Sequence, residues 1–206
     1  AVESYNKRIG LYPFTEFDVV ATATSALGVE YPGVAVITNR IYNNENQPGS
    51  PLAAAFLEST VAHETAHQWF YSIIGNDQVR EPWLDESLAQ YATATYFQDR
   101  YGADASTQYR QDWLQRWESI GSPDIPIGLP VADYPVQSYS AIIYGRGPLF
   151  IQELEERMGE KPFRAFLQDY YLTYRWKIAT AGGFEKLAEQ ECGCTLAPLF
   201  EDWVYP

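Results

Sequence analysis

The sequence predicts an α+β domain in which an N-terminal β-sheet lobe is followed by a C-terminal helical lobe. Two observations indicate this division. β-Branched residues alternate in the first third of the chain, whereas apolar residues from position 147 onward recur at the spacing of amphipathic helices. The stretch 119–138, rich in proline and glycine, lies between them. We therefore expect residues 1–206 to form one domain with lobes of about 1–118 and 119–206.

The first third contains two predicted strands. Residues 17–24 and 34–42 are rich in valine, isoleucine and threonine, and glycine and proline separate them. The polar residues 43–50 predict a turn after the second strand. Ser50 followed by Pro51 is typical of a helix start, so we expect a helix to follow this turn directly.

Two long helices are predicted next, at residues 57–74 and 84–101, and glycine, asparagine and aspartate after position 74 signal the end of the first. The apolar residues available for their buried faces are Leu57, Val61, Phe70 and Ile74 in the first helix and Leu84, Leu88, Tyr91 and Thr95 in the second. Four further helical segments are predicted after the central loop, at 147–158, 162–176, 184–191 and in a short run ending at Trp203.

The composition disfavours two classes of partner. The chain has a formal net charge of −13 and a pI near 4.5, which disfavours nucleic acid and anionic membrane surfaces. No apolar stretch is long enough to span a bilayer, and no signal-peptide pattern is present. The chain begins at Ala1 without an initiator methionine, from which we expect a piece of a longer protein.

The two cysteines, Cys192 and Cys194, form a Cys-Gly-Cys sequence. A bridge between residues two apart is expected to be strained, and two ligands alone do not make a zinc site. We therefore expect free thiols. A strained or redox-active disulfide and a metal role are the alternatives.

The two histidines of the chain stand four residues apart, at the ends of the string HETAH that begins at His63. Positions i and i+4 lie on one face of a helix, so His63 and His67 can reach one metal ion, and Glu64 projects from the adjoining face. This HExxH pattern is a zinc-peptidase signature. Glu86 follows His67 after eighteen residues, at the start of the second predicted helix, so packing of the two helices would bring its carboxylate to the same ion.

With no third histidine in the sequence, a catalytic Zn²⁺ would need a carboxylate or a cysteine as its third ligand. Two histidines and one glutamate form a known class of catalytic zinc site that leaves a position for water, and this ligand set suits Zn²⁺ best. The alternative is that His63 and His67 are structural residues and Glu86 is a solvated charge. The motif and its helical context together favour one Zn²⁺ per chain.

Four segments of the chain together resemble the gluzincin peptidases of the aminopeptidase N type. HETAHQWF (63–70) and WLDESLA (83–89) are similar to the HExxHxW and WxNEG patterns of that family. ALGVEYPG (26–33) resembles its exopeptidase motif, and SAIIYGRG (140–147) resembles its Tyr-x-Lys-Gly segment. The resemblance covers nearly the whole chain and implies a thermolysin-like catalytic domain, with the zinc helix between the two lobes.

The resemblance also implies a role for each site residue. The zinc ligands would be His63, His67 and Glu86, the catalytic residues Glu64 and Tyr144, and the substrate-binding residues Gly28, Val29 and Glu30. Glu64 would take the proton of the attacking water and pass it to the leaving amine. Tyr144 would donate a hydrogen bond to the oxyanion. Glu30 would bind the free α-amino group of a peptide substrate.

Several of these residues also have plainer interpretations. Tyr144 is one of 16 tyrosines and Glu30 lies beside a glycine turn, so each alone would be taken for a packing residue or a turn carboxylate. Asp85 is a candidate either for orienting a zinc-bound histidine or for capping the helix that carries Glu86, and we favour the cap. Arg146 stands where the family has lysine and is a further candidate for supporting the site.

Family members usually carry an N-terminal β-rich domain and often a C-terminal helical domain, and we expect such further domains in the parent protein. The function predicted is that of a zinc aminopeptidase acting on peptides. The first alternative is a gluzincin that cleaves within peptides or hydrolyses another substrate without requiring a free amine. The second is a non-catalytic peptide-binding or scaffold module.

Overall fold

A computed structural model describes the backbone of residues 1–42 and 51–206 and the side chains of 1–42 and 53–206. The predicted turn at 43–50 and the expected Ser50 cap lie outside the described residues. The helices are α1 (Val2–Arg8), α2 (Asn39–Tyr42), α3 (Pro51–Ala66), α4 (Trp83–Tyr101), α5 (Ala103–Glu118), α6 (Tyr139–Ala141), α7 (Gly147–Met158), α8 (Glu160–Tyr174), α9 (Ala181–Cys192) and α10 (Ala197–Trp203). The strands are β1 (Asp18–Thr22), β2 (Gly28–Tyr31), β3 (Val34–Thr38), β4 (Ile74–Gly75) and β5 (Lys177–Ile178).

A small mixed sheet lies near the N-terminus. Its order is β1-β3-β2, with β1 parallel and β2 antiparallel to β3, so β2 is an edge strand. The predicted strands end earlier than expected, at Thr22 and Thr38. After Thr38 the chain turns into α2, where the Arg40 guanidinium donates to the Ser25 carbonyl (2.7 Å) and holds the turn against the preceding loop.

The core is formed by helices packed around α4. The side chain of Trp83, at the start of α4, is fully buried and makes edge-to-face contacts with Phe150 on α7 (5.6 Å between ring centroids) and Phe184 on α9 (5.3 Å). The prediction for residues 84–101 is confirmed to within one residue, and its four apolar positions are buried. The segment 147–158 is also helical as predicted, whereas α1 and α5 were not predicted.

The helix predicted at 57–74 is wrong in its second half, because α3 ends at Ala66. The chain then turns so tightly that Tyr71 has a positive φ of 113°, an unfavourable conformation for a side chain with a Cβ. Phe70 and Ile74 are buried as expected, but from this turn and from β4 rather than from the helix. The loop at 119–138 is irregular as predicted, apart from a 3₁₀ turn at Val131–Asp133.

The expectation of free thiols is wrong, since Cys192 and Cys194 form a disulfide. Gly193 between them has a φ of +61°, which glycine adopts at little cost. This reversal at the end of α9 brings the two Cα atoms to 5.1 Å, within the range that a disulfide spans. Within the described residues, no helix combines the length and apolarity that crossing a bilayer requires.

Candidate active site

The packing of α3 against the start of α4 brings together three nitrogen and oxygen atoms from the predicted metal ligands. His63 Nε2 lies 3.1 Å from His67 Nε2 and 3.2 Å from Glu86 Oε2. His67 Nε2 lies 3.4 Å from the same Glu86 oxygen. His67 directly follows the last residue of α3, and its amide still donates to the His63 carbonyl (3.3 Å), so the helical i, i+4 relation of the two rings is kept.

These separations fit a single Zn²⁺. Zinc–nitrogen and zinc–oxygen bonds are about 2.0–2.1 Å long, so two ligand atoms on a tetrahedral ion lie roughly 3.3 Å apart. All three observed separations are close to that value. Two imidazole nitrogens and one carboxylate oxygen are also donors that Zn²⁺ accepts readily. The residues present therefore fit the metal that the sequence motif predicts.

The ring of His67 is oriented by a main-chain carbonyl. Its Nδ1 lies 3.0 Å from the Phe70 carbonyl oxygen, so Nδ1 carries the proton and Nε2 is free to bind a metal. This contact exists because the chain leaves the helix after Ala66 and turns back over the ring. The Nδ1 atom of His63 is buried and has no hydrogen-bond partner within the part of the chain that the structure describes.

Glu64 lies beside this cluster and against the edge strand β2. Its side chain is only 6% exposed, and burial raises the pKa of the carboxyl above its ordinary value. A Cβ atom at position 28 would collide with the Glu64 carboxylate, so Gly28 is the residue that allows this close approach. Val29 pairs with Val36 in the sheet, and the neighbouring residue Glu30 lines the cleft.

Tyr144 reaches the cluster from a π-helical turn formed by Ile142–Arg146. Its hydroxyl donates to Glu86 Oε1 (2.7 Å). The carboxylate of Glu86 therefore contacts the tyrosine through Oε1 and the two histidines through Oε2. Burial, followed by the charge of Glu86, raises the pKa of Tyr144 well above its ordinary value, so the hydroxyl keeps its proton. Burial alone would raise the pKa of Glu86, but His67 and His63 hold it below its usual range.

Asp85 does not cap α4, and that prediction is wrong. The N-cap position is Pro82, and Asp85 lies inside the first turn with a side chain that is 1% exposed. Its carboxylate accepts hydrogen bonds from Asn76 Nδ2 (3.0 Å) and Gln78 Nε2 (2.7 Å). Burial is the main cause that raises the pKa of Asp85 to about 6. The atom that holds His67 through its Nδ1 is the Phe70 carbonyl, not this carboxylate.

Arg146 points away from the three predicted metal ligands. Its guanidinium donates to the Asp124 carboxylate (2.6 Å), the Ile125 carbonyl and the Asp202 carbonyl (3.2 Å). It also lies over the ring of Trp203, 5.1 Å from the centroid. Arg146 therefore connects the irregular loop to α10. It is also the last residue of the π-helical turn that carries Tyr144.

Seven of the predicted site residues line one cleft of about 400 Å³ between β2, α3, α4, α5 and the π-helical turn, whereas Val29, Asp85 and Arg146 do not line it. Those that line it are Gly28, Glu30, His63, Glu64, His67, Glu86 and Tyr144. A larger cavity of about 480 Å³ lies on the other side of α4 and contains none of them. Arg116 on the cleft wall and Gln78, which contacts Glu30, were not predicted from the sequence, because neither belongs to a motif or to a regular pattern.

Comparison with known proteins assigns the chain to a family. Residues 2–203 match the Peptidase family M1 domain, so the chain belongs to peptidase family M1 and the predicted family is confirmed. It is 28% identical over 154 residues to probable aminopeptidase 2 of Sulfurisphaera tokodaii, covering 72% of this chain and 20% of the relative. It is 24% identical over 215 residues to Tricorn protease-interacting factor F2 of Thermoplasma volcanium, covering 99% of this chain and 27% of the relative.

The fold agrees with this assignment. The M1 zinc metallopeptidase of Deinococcus radiodurans superposes with a TM-score of 0.77 at 21% identity, over 100% of this chain and 42% of that one. Yeast LTA4 hydrolase superposes with a TM-score of 0.76 at 15% identity, over 100% of this chain and 34% of that one. The predicted α+β metallopeptidase fold is confirmed. The chain spans about a fifth to a quarter of the two curated relatives.

Proposed function

We propose that this chain is the catalytic domain of a zinc aminopeptidase, which removes residues from the free N-terminus of peptides. The observation that carries the proposal is the cluster of His63, His67 and Glu86, whose donor atoms lie 3.1–3.4 Å apart and open onto a cleft shared with Glu64 and Tyr144. Family membership and the aminopeptidase names of relatives support the same activity.

A Zn²⁺ held by the three ligands would polarise the scissile carbonyl and lower the pKa of a water molecule. In this proposal Glu64 takes a proton from that water. Its position beside both histidines, outside the three clustered ligands, supports this role. Its burial favours the protonated form once the proton has arrived. From there Glu64 can pass the proton to the leaving amine.

In this proposal Tyr144 stabilises the oxyanion of the tetrahedral intermediate. Its hydroxyl, now 2.7 Å from Glu86, can turn to an oxygen of the substrate while staying in the same cleft. Glu30 lies at the end of the cleft formed by β2 and supplies a carboxylate for the substrate ammonium. A carboxylate at this point favours peptides that begin at the metal site, which is how one residue is removed at a time.

The test uses one short peptide in two forms, with a free and with an acetylated N-terminus, incubated with the zinc-loaded protein and analysed by mass. We expect stepwise loss of N-terminal residues from the free form only. The Glu64→Gln variant is the matched control, since it keeps the size of the side chain and removes the base. Equal cleavage of both forms would contradict aminopeptidase action and favour an endopeptidase.

A further inference from the structure

The side chain of Gln78 joins a carboxylate on β2 to a carboxylate on α4. Its Nε2 lies 3.2 Å from Glu30 Oε1 on β2 and 2.7 Å from Asp85 Oδ2 on α4. An amide nitrogen carries two hydrogens, and these two contacts use both. The reverse orientation would place the amide oxygen against two carboxylate oxygens, so the chemistry of the neighbours fixes the orientation of the amide.

The Asp85 end of this bridge is firmly anchored. Asp85 is buried, lies next to Glu86 on α4, and also accepts a hydrogen bond from Asn76, whose Nδ2 donates in addition to the Glu81 carbonyl (3.1 Å). A carboxylate oxygen each of Glu30 and Asp85 and a ring nitrogen of His67 lie within 4.8 Å of one another. The bridge therefore connects Glu30 to the same short segment that carries a predicted metal ligand.

The side chain of Glu30 is held less firmly than that of Asp85. β2 is an edge strand of a small sheet and is only half-buried, and a glutamate side chain has three rotatable bonds. A carboxylate ordered before the ligand arrives binds it more tightly, because the ordering cost does not fall on the binding step. The bridge uses Oε1, and within the described residues no hydrogen bond reaches Oε2, which stays available for an ammonium group.

We propose that Gln78 is a positioning residue that fixes Glu30 at a set place relative to the helix of Glu86. The distance between the amine-binding carboxylate and the metal ligands decides which peptide bond lies at the reactive position. Gln78 thereby determines the preference for a free N-terminus without touching the substrate itself. This inference rests on the proposed function, since it assumes that Glu30 receives the substrate amine.

The experiment compares wild type with Gln78→Leu, which keeps a similar size and removes both donors. The probes are L-leucinamide and its N-acetyl derivative. Their binding is measured by calorimetry or NMR titration on zinc-loaded proteins in which Glu64→Gln has been added to both wild type and variant, so that the free amide is not hydrolysed during the titration. We expect L-leucinamide to bind about tenfold more weakly to the variant, because a hydrogen bond to a charged group is lost. Binding of the acetylated probe and zinc content should stay unchanged. KM for a free peptide should rise to a similar degree, with little change in kcat.

Gln115→Leu is the matched control, because Gln115 is exposed on α5 and the same substitution there should change none of these quantities. If Gln78→Leu does not fold, Gln78→Asn replaces it, since an amide shorter by one methylene cannot reach both carboxylates. A folded Gln78 variant with wild-type affinity for L-leucinamide would overturn the inference and leave the proposed function intact. A wild type that binds both probes equally would overturn the amine-binding role of Glu30, and the inference with it.

Discussion

The helical wall of the cleft, formed by α3, α4 and the π-helical turn, is backed by the protein core. The sheet wall, formed by β2 with β3 and β1 beside it, is buried mainly in the central strand β3, where Ala35 and Ile37 are fully buried. On the helical wall His67 and Asp85 are each 1% exposed, and Trp83 at the start of α4 is fully buried. On the sheet wall all five residues of β1 are exposed, and Tyr31 on β2 is 55% exposed.

In this proposal the two walls therefore have different functions, metal binding and chemistry on one and substrate selection on the other. The predicted metal ligands and Tyr144 are held by the chain's own core, so their geometry depends little on anything outside it. The predicted amine-binding residue lies on a strand that a few polar contacts tie down. The most buried of these is Gln68, which donates to the Tyr31 carbonyl (3.0 Å) and accepts from the Gly33 amide (2.7 Å). Changes to the helical wall should affect metal binding and chemistry, and changes to the sheet wall should affect substrate selection.

The largest effect is expected from Glu86→Ala on the helical wall. The substitution removes one of three metal ligands and the hydrogen-bond acceptor of Tyr144. Loss of residues that merely support metal ligands typically costs 10–100-fold in affinity, so we expect zinc affinity and hydrolysis to fall by more than about a hundredfold. Zinc affinity is measured as zinc content after dialysis, and hydrolysis as peptide turnover. Glu118→Ala, at an exposed position on α5, is the control. Full zinc occupancy in the Glu86 variant would contradict the assigned ligand set.

Tyr144→Phe should have the next largest effect. Removing one oxyanion donor typically lowers kcat by about 10²–10³-fold, and we expect a fall of this size with KM and zinc content nearly unchanged. Tyr139→Phe is the control, because it makes the same chemical change on the neighbouring helix α6. A kcat for Tyr144→Phe within twofold of wild type would reject the oxyanion role.

A smaller and local effect is expected from Gln68→Leu, which removes both contacts to the β2–β3 turn. Each hydrogen bond contributes about 0.5–1.5 kcal/mol, so the sheet wall should open more readily while the helical wall stays closed. Hydrogen exchange measured by mass spectrometry should become faster in residues 28–38 and remain slow in α4. Equal acceleration in both regions would show that the two walls unfold as one unit.

The smallest effect is expected outside the cleft, where Arg8 on α1 binds Asp99 in the last turns of α4 through two hydrogen bonds of 2.6 and 2.9 Å. Arg8, followed by Ser4, lowers the pKa of Asp99 to about 2, below the value of about 3.9 expected in the unfolded chain. The pair therefore stabilises the fold above about pH 4, and this contribution is lost as the pH falls through about 2.

Since both side chains are partly exposed, we expect Asp99→Asn to lower the free energy of unfolding at pH 7 by about 1 kcal/mol and to leave peptide turnover unchanged. Denaturant unfolding at pH 7 and at pH 2 measures the difference, with Asp104→Asn at an exposed position as control. A deficit that is equal at both pH values would show that the pair acts through packing rather than charge.

The sequence predicted the helical wall better than the sheet wall. The i, i+4 spacing of the histidines and the apolar period of α4 are local patterns, so they fixed which faces meet. The early end of α3 was missed because it depends on the turn at Tyr71, where a residue other than glycine adopts a positive φ. The Cys192–Cys194 disulfide was missed for a similar reason, since it depends on the conformation of Gly193.

The contacts that support the site could not be predicted from the sequence. The group that orients His67 is the Phe70 carbonyl, and every residue has a carbonyl, so no residue type marks it. Gln78 contacts Glu30 and Asp85, which lie 48 and 7 positions away in the chain. The carboxylate of Asp85, the predicted cap of α4, instead accepts hydrogen bonds from Asn76 and Gln78. Such contacts depend on tertiary structure.

The predicted metal site is tested most directly by X-ray diffraction from zinc-loaded crystals at wavelengths on both sides of the zinc absorption edge. We expect one anomalous peak per chain, at about 2.0–2.2 Å from His63 Nε2, His67 Nε2 and a Glu86 carboxylate oxygen. A peak at another position, or none in this cleft at full zinc loading, would contradict the claim that the helical wall is built to hold the metal.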